Sequence, residues 1–255
     1  MDQNYGLFVF EQHDTFTEPD AQATVWRYMD FTKFMACLDT QSLWFSKPEF
    51  LGDPWELAYS RANLQQFRAR HTSNGDGNFD ETTLKNYRAT LDSMYVNCWH
   101  CGEVESAAMW KLYLTSFEGV ALQSNWSHLT ASIGKTRDPV LGGHVRYIDF
   151  EKDETSSTNL FYPTTTKRES FKYEQEVRLV NWWRPDRSTG IPDYEQVPSQ
   201  RGIEIPFNIY QALHRVVICP GSSDWFKDLV HRVASRYFDS IPIENSSMDD
   251  EPTRL

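Results

Sequence analysis

The sequence predicts an α+β protein, a single domain with mixed or antiparallel sheets, helices clustered early in the chain and one helix late. Short runs rich in β-branched and aromatic residues, bounded by turn residues, indicate many strands. Segments with apolar residues at helical spacing do not alternate with those strands, which argues against a doubly wound parallel sheet. The 255 residues are 40% hydrophobic and 15% aromatic, enough for one sizeable core. We predict that the domain covers residues 1–244 and that residues 245–255 form a disordered tail.

The predicted strands share a high content of Val, Ile, Tyr, Phe and Trp and end at Gly, Pro, Asn, Asp or Ser. In chain order they are Tyr5–Phe10, Thr24–Tyr28, Ser42–Ser46, Met94–His100, Gly119–Ser124, Val145–Phe150, Tyr173–Trp183, Gly202–Pro206, Val216–Cys219 and Ile241–Glu244.

The predicted helices are recognised by one apolar face or by a start signal. In residues 31–39, Phe31, Phe34, Met35 and Leu38 fall on one face. A helical segment over residues 53–93 begins at Asp53-Pro54-Trp55-Glu56, which reads as an N-cap, a first-turn proline and a capping box. Within it we expect one helix to about residue 69, a loop over 71–80 and a second helix over 80–93. Further helices are predicted over residues 106–115 and 224–237.

Composition excludes several classes of function. The net charge of −11 argues against a nonspecific nucleic-acid binder, which needs a basic surface. No run approaches the ~20 apolar residues of a membrane span. The first twenty residues carry acidic side chains and no basic one, unlike a signal peptide, so we expect a cytoplasmic protein with reduced cysteines and no membrane contact. Cys98-Trp99-His100-Cys101 has no second pair of ligands at zinc spacing, so we expect no metal there.

Two carboxylates stand two positions apart in the strand predicted over Tyr173–Trp183. Glu174 and Glu176 would lie on one face of that strand, where their charges repel. One interpretation is a solvated strand edge on which Arg178 continues a ladder of charges. The other is a catalytic site in which two neighbouring carboxylates stabilise a developing cation, which would explain why their repulsion is tolerated.

Several separated motifs follow one another along the chain: Trp26-Arg27-Tyr28, Leu43-Trp44-Phe45-Ser46, Gly52-Asp53-Pro54-Trp55-Glu56, Met109-Trp110 with Tyr113, Gly119-Val120, and Tyr173-Glu174-Gln175-Glu176-Val177-Arg178. In this order and spacing, over about residues 24–221, they resemble a bacterial domain-of-unknown-function family, number twenty-nine seventy-one. The resemblance implies no particular activity. Members are often found near phage-defence genes, which suggests a toxin or defence role.

An early aromatic-Arg pair and a later Glu-x-Glu-Val also resemble the pattern of ADP-ribosyltransferases. This resemblance implies that Arg27 and Glu176 bind NAD, the substrate, with Glu176 beside its ribose and Glu174 on the acceptor side. It implies a serine on a middle strand, for which Ser46 and Ser124 are the candidates. The expected NAD-binding residues are Arg27, Tyr28, Trp44, Phe45, Ser46 and Tyr113.

The chemistry of these residues suits NAD cleavage. An ionised carboxylate stabilises the oxocarbenium-like state of glycosidic cleavage, a guanidinium binds phosphate, and aromatic rings stack on bases. The implied function is an NAD-using transferase or glycohydrolase with an unknown protein or nucleic-acid acceptor, and with an antitoxin or other protein as a possible partner. We expect Arg27 and Glu176 to line one pocket.

Other interpretations stay open at the level of sequence. Arg27 can form a structural ion pair with Asp53 or Glu56, and the aromatic residues can belong to the core. Asp53, Glu56, Glu174 and Glu176 can instead bind Mg²⁺ as in a nuclease, if the fold brings them together. A third possibility is a non-catalytic module whose exposed aromatics bind a partner protein.

Overall fold

A mixed, mostly antiparallel sheet of nine strands organises the part of the chain that the structure describes. The computed structural model describes residues 7–66, 88–154, 159–186, 193–195 and 197–253. A smaller sheet of two parallel strands packs beside it. The strands are β1 Thr24–Asp30, β2 Ser42–Ser46, β3 Met94–Cys101, β4 Gly119–Asn125, β5 Val140–His144, β6 Arg146–Ile148, β7 Thr166–Arg168, β8 Glu176–Trp182, β9 Gly202–Pro206, β10 Arg215–Ile218 and β11 Ile243–Asn245.

The large sheet divides at β3, which pairs with three strands. Strand β8 follows one edge of β3 along residues 94–100. The other edge is shared, since Ser46 of β2 pairs with Val96 and Trp26 of β1 pairs with His100. We call this division, centred on Cys98 between those two contacts, the fork. One branch continues from β1 through β4 and β10 to β11, and the other runs from β2 to β9.

Helices cover both faces of the sheet. The helical elements are α1 Phe31–Thr40, α2 over described residues 61–66, α3 over described residues 88–92, α4 Ala107–Tyr113, α5 Trp126–Ala131, α6 Ile209–Ala212 and α7 Asp224–Ala234. Helices α1, α5, α6 and α7 bury apolar side chains in the main core, whereas α4 packs on the opposite face against Trp26 and Tyr28. Among the described helices, none has the length and apolar character needed to cross a membrane.

The α+β class and many element positions are confirmed. The strand Ser42–Ser46 has the predicted bounds, and the strands that begin at Thr24 and Met94 run slightly further than predicted. The helix from Phe31 is also confirmed, because Asp30 accepts a hydrogen bond from the Lys33 amide and so caps it. Periodicity missed α5, α6 and β5, which are short or rich in glycine.

The predicted helix start at Asp53 is wrong. Residues 54–57 form a turn that ends at Leu57, whose φ of 59° cannot continue a right-handed helix. The helix begins at Arg61 instead, where the Ser60 hydroxyl accepts from the Asn63 amide.

The strand predicted from Tyr173 is also wrong at its start. Residues Glu169–Glu174 form a 3₁₀-helix, Gln175 is left-handed with a φ of 42°, and β8 begins only at Glu176.

Three remaining predictions concern segments that the structure describes only in part or not at all. Of the strand Tyr5–Phe10, the described part makes only isolated bridges at Phe8 and Phe10. The loop over 71–80 lies outside the described residues, as does the helix over 80–93 before residue 88. The expected tail over 245–255 is described to residue 253, and Ser246 and Ser247 there donate hydrogen bonds to Glu105.

Candidate active site

Three buried carboxylates converge on the amino group of Lys167. The Lys167 Nζ lies 2.6 Å from Glu174 Oε2, 3.2 Å from Glu176 Oε2 and 3.6 Å from Glu56 Oε1. Arg178 completes the group, which we call the charge cluster. It holds three carboxylates and two cations, so its formal charge is negative when all five groups are ionised.

Arg178 is the most constrained member of the charge cluster. Its Nε lies 2.7 Å from Glu176 Oε1, and its Nη1 and Nη2 donate to the two Glu56 oxygens at 3.0 and 3.3 Å. Nη1 also donates to the Thr164 carbonyl at 3.0 Å. Only 1% of the Arg178 side chain is exposed. Such a cation is tolerated in the interior because almost all of its donors are used.

Local backbone geometry explains why Glu174 and Glu176 meet. The left-handed Gln175 turns the chain between the 3₁₀-helix and β8, so the shared orientation does not come from strand alternation. The Tyr147 hydroxyl accepts from the Glu176 amide at 2.7 Å and fixes the start of β8. Tyr147 pairs with Lys167 across β6 and β7, which places the lysine beside both carboxylates.

A second ion pair holds the turn after Gly52. Asp53 accepts from Arg168 Nε at 3.1 Å and Nη2 at 2.8 Å, and from the Trp55 amide at 3.1 Å. The side chains of Lys167 and Arg168 both contact the Phe171 ring, at 4.9 and 5.2 Å from its centroid. The ion pair predicted between Arg27 and Asp53 or Glu56 is therefore wrong, since Arg168 and Arg178 are the partners.

The two neighbouring carboxyl groups have pKa values shifted in opposite directions. Burial raises the pKa of Glu174 and outweighs its contact with Lys167. Burial also acts on Glu176, but the charges of Arg178 and Lys167 prevail and lower its pKa to about 2. Glu176 is thus ionised at neutral pH, while Glu174 holds a proton more readily than an ordinary glutamate.

Glu174 and Glu176 both line a narrow cleft between β1, β3 and α4. Its lining is aromatic and polar: Trp26, Tyr28, Cys98, Trp99, His100, Met109, Tyr113, Glu174 and Glu176. The free volume is about 10 Å³, room for about one water molecule. The Tyr28 hydroxyl accepts from the Ser106 amide at 2.7 Å just before α4, and its ring packs edge-on against Trp110. The cleft therefore joins two glutamates with oppositely shifted pKa values to an aromatic wall.

Arg27 is not among the residues that line this cleft, so the expected Arg27–Glu176 pocket is not seen. Burial lowers the pKa of this guanidinium, and Coulombic interactions with Cys98, Tyr113 and Glu176 partly offset that effect. The register puts Trp26, His100 and Glu176 on one face of the sheet, and strand alternation puts Arg27 on the other. Its guanidinium donates to the Cys98 carbonyl at the fork. That carbonyl lies between the contacts of β3 with β2 and with β1, so Arg27 satisfies an acceptor that the divided sheet exposes.

Of the other expected NAD-binding residues, Tyr28 and Tyr113 line the cleft, and those on β2 do not. Phe45 is fully buried in the main core, and Ser46 pairs with Val96. Trp44 is 45% exposed on β2. The alternative serine, Ser124, is buried and donates to the Ala212 carbonyl at 2.6 Å, which gives it a structural contact.

Three of the four carboxylates of the nuclease alternative come close together, but protein cations lie among them, and Asp53 pairs with Arg168 instead. Glu56, Glu174 and Glu176 surround Lys167 and Arg178, the place where a metal ion would lie. Within the described ranges, no group of three or more His, Cys, Asp or Glu side chains is arranged to hold a metal ion. Strand alternation also sends the side chains of Cys98 and Cys101 to opposite faces of β3.

Sequence reasoning missed Lys167 and His100, and it treated Arg178 only as a surface charge. Lys167 follows four residues of Pro and Thr and carries no signal of burial. His100 was visible only through its position two residues after Cys98, on the same face of β3. No protein-family model, curated protein or solved structure matches the chain. The resemblances described above therefore rest on the quoted residues alone.

Proposed function

We propose that this protein cleaves the bond between nicotinamide and ribose in NAD, using Glu176 and Glu174. The observation that carries the proposal is the pair of carboxyl groups with oppositely shifted pKa values at one aromatic cleft. Pairs of this kind divide the roles of acid and charge stabiliser in enzymes that break glycosidic bonds. The toxin or phage-defence role belongs to the same proposal and is supported by the family resemblance alone.

Glu176 is the group that stabilises the developing cation. Its carboxylate stays ionised at neutral pH, so it can face the oxocarbenium-like ribose without a change of protonation. Lys167 and Arg178 fix its position, so little reorganisation is needed during the reaction. Nicotinamide leaves as a neutral molecule and needs no acid. Glu174 lies on the acceptor side, where its carboxyl group can hydrogen-bond to the group that attacks the ribose.

Substrate binding requires the cleft to open. A volume of about 10 Å³ does not admit nicotinamide, let alone a dinucleotide. Tyr113 is the lining residue best suited to move, because it ends α4, a helix of seven residues, and is 42% exposed. NAD binding should therefore change the environment of Tyr113 and of the neighbouring Trp110.

The test is release of free nicotinamide from NAD by the purified protein, with and without EDTA. We expect release that EDTA does not reduce, since no metal takes part. Glu176→Gln should lower the rate by ~100–1000-fold, because the amide keeps the size of the side chain and loses the charge. Glu169→Gln is the matched control, an identical exchange at an exposed position of the same segment.

Fold integrity must be followed in parallel, because Glu176→Gln leaves Lys167 and Arg178 with one carboxylate fewer. Circular dichroism of both variants shows whether lost turnover reflects lost structure. Nicotinamide release that is unchanged in a folded Glu176→Gln variant would remove this mechanism. Nicotinamide release that disappears with EDTA would indicate instead that the reaction depends on a metal ion bound by these carboxylates.

A further inference from the structure

His100 is a buried histidine whose tautomer the fold determines. Its Nδ1 lies 2.7 Å from the Glu174 carbonyl oxygen. A carbonyl oxygen only accepts hydrogen bonds, so Nδ1 must carry the proton. Burial lowers the pKa of His100 despite this bond, which favours the neutral ring. A neutral ring protonated at Nδ1 presents an unprotonated nitrogen, Nε2, as an acceptor.

That acceptor has no hydrogen-bond partner among the residues that the structure describes. The side chain is nevertheless only 8% exposed and lines the cleft. Nε2 lies against Gly102, where a Cβ atom would stand 2.7 Å from it. Any larger residue at position 102 would push the ring away, so Gly102 leaves room for the imidazole in this orientation.

The cleft next to Nε2 has the size and the polarity of a single-water site. Its volume of about 10 Å³ matches about one water molecule, which needs two to four polar partners. Nε2 supplies one acceptor, and Glu174 lines the same space. The Cys98 thiol adjoins the Glu176 carboxylate on the same side.

We propose that His100 Nε2 binds one water molecule in this cleft and takes its proton as the water attacks the ribose, so that water is the acceptor. The inference rests on the proposed function and selects hydrolysis over transfer to a macromolecule. The water oxygen forms a bond to the anomeric carbon, and the carbon–nitrogen bond to nicotinamide breaks. The electron pair of that bond leaves with nicotinamide, and the water proton moves to Nε2.

A matched pair of substitutions separates this role from a structural one. In His100→Asn the amide nitrogen can take the place of Nδ1 and keep the bond to the Glu174 carbonyl, but the acceptor in the cleft is lost. In His100→Gln an amide group reaches the position of Nε2, but the bond to Glu174 is lost. We expect nicotinamide release to fall at least ~100-fold in His100→Asn, the usual contribution of a general base. Neither amide can take the water proton, so His100→Gln should lose activity as well. A purely structural histidine instead predicts that His100→Asn, which keeps the bond to Glu174, is nearly as active as the wild type and that only His100→Gln is impaired.

The products identify the acceptor directly. The wild type is incubated with NAD in water containing methanol, and the products are separated by mass. We expect ADP-ribose alone, because the proposal places the opening for NAD at Tyr113 and keeps the one-water space beside His100. Methyl ADP-ribose, or ADP-ribose attached to the protein itself, would overturn the assignment of water.

The outcomes keep the two proposals apart. Turnover of NAD with an active His100→Asn variant, or with a methylated product, rejects the water site and leaves NAD cleavage standing. A wild type that releases no nicotinamide rejects NAD cleavage and the hydrolytic step together. A crystal structure then decides the binding site separately, since electron density for a water within hydrogen-bond distance of Nε2 supports it and a dry cleft rejects it.

Discussion

Replacing Arg178 by methionine should destabilise the protein severely, because it leaves buried charge without compensation. Glu176 and Glu56 lose their bonds to the guanidinium, and the Thr164 carbonyl loses a donor. Three buried carboxylates then share Lys167 alone. Removing one partner of a buried ion pair costs about 3–5 kcal/mol in the free energy of unfolding. For a chain of this size that corresponds to a fall of about 6–20 °C in melting temperature.

The pH dependence of this loss identifies its cause. Glu176 has a folded pKa of about 2, below its ordinary value of 4.5, so its ionised form contributes stability above pH 4.5. That contribution is lost as the pH falls from 4.5 towards 2, and the shift corresponds to about 3 kcal/mol. In the Arg178→Met variant, most of this stabilisation by ionised Glu176 is already absent. The difference in stability between wild type and variant should therefore narrow over this pH interval.

Urea denaturation followed by circular dichroism measures both effects. Arg61→Met is the control, because its pair with Glu151 is exposed and should contribute less than about 1 kcal/mol. The double variant Arg178→Met/Glu176→Gln should recover part of the loss, since it removes a carboxylate as well. A loss below about 1 kcal/mol in Arg178→Met, or a difference that stays constant between pH 4.5 and 2, would refute this account of the charge cluster.

Two further substitutions test residues that have structural partners. Arg27→Met should lower the free energy of unfolding by about 1–3 kcal/mol, because the Cys98 carbonyl at the fork loses its donor, and nicotinamide release should persist. Unchanged melting with lost turnover would instead give Arg27 a role at the substrate. Asp53→Ala should cost about 1–2 kcal/mol in urea denaturation, a modest value because Arg168 is 38% exposed and its charge is screened. If the wild type cleaves RNA or DNA in a metal-dependent reaction that Asp53→Ala abolishes, the nuclease interpretation becomes the better one.

Local sequence signals predicted the strands better than they predicted the site. Ser42–Ser46 is short, aromatic and stopped by Lys47-Pro48, so its bounds follow from residues close to it in sequence. The start signal at Asp53 was read as a helix cap because its residue types suit one. In the structure Asp53 instead pairs with Arg168, 115 positions away, and that contact competes with a local helix.

The candidate site was predictable in its two glutamates and in Tyr28 and Tyr113, but not in its buried cations. The clustering of the two glutamates depends on Gln175 adopting a left-handed conformation, which a non-glycine residue gives no reason to expect. The cations that bind them are only partly local. Arg178 lies two residues from Glu176 but also binds Glu56 over 122 positions, and Lys167 comes from a strand of three residues. A spacing pattern carries no information about such contacts, and only the topology of the sheet brings them together.

The fork also bears on how the chain reaches its native state. Strand β3 needs neighbours from both directions along the chain, because β1 and β2 precede it and β8 lies about 80 residues after it. Strand β9 pairs with the second edge of β2, so that edge, over residues 42–46, stays unpaired until residues 202–206 reach it. The entropy cost of closing such long loops is met before the stabilising contacts form, so we expect this protein to fold slowly. Until β9 pairs with β2, the aromatic strand β2 has an unpaired edge that can associate with other chains. A chaperone would protect the nascent polypeptide from aggregation during that interval.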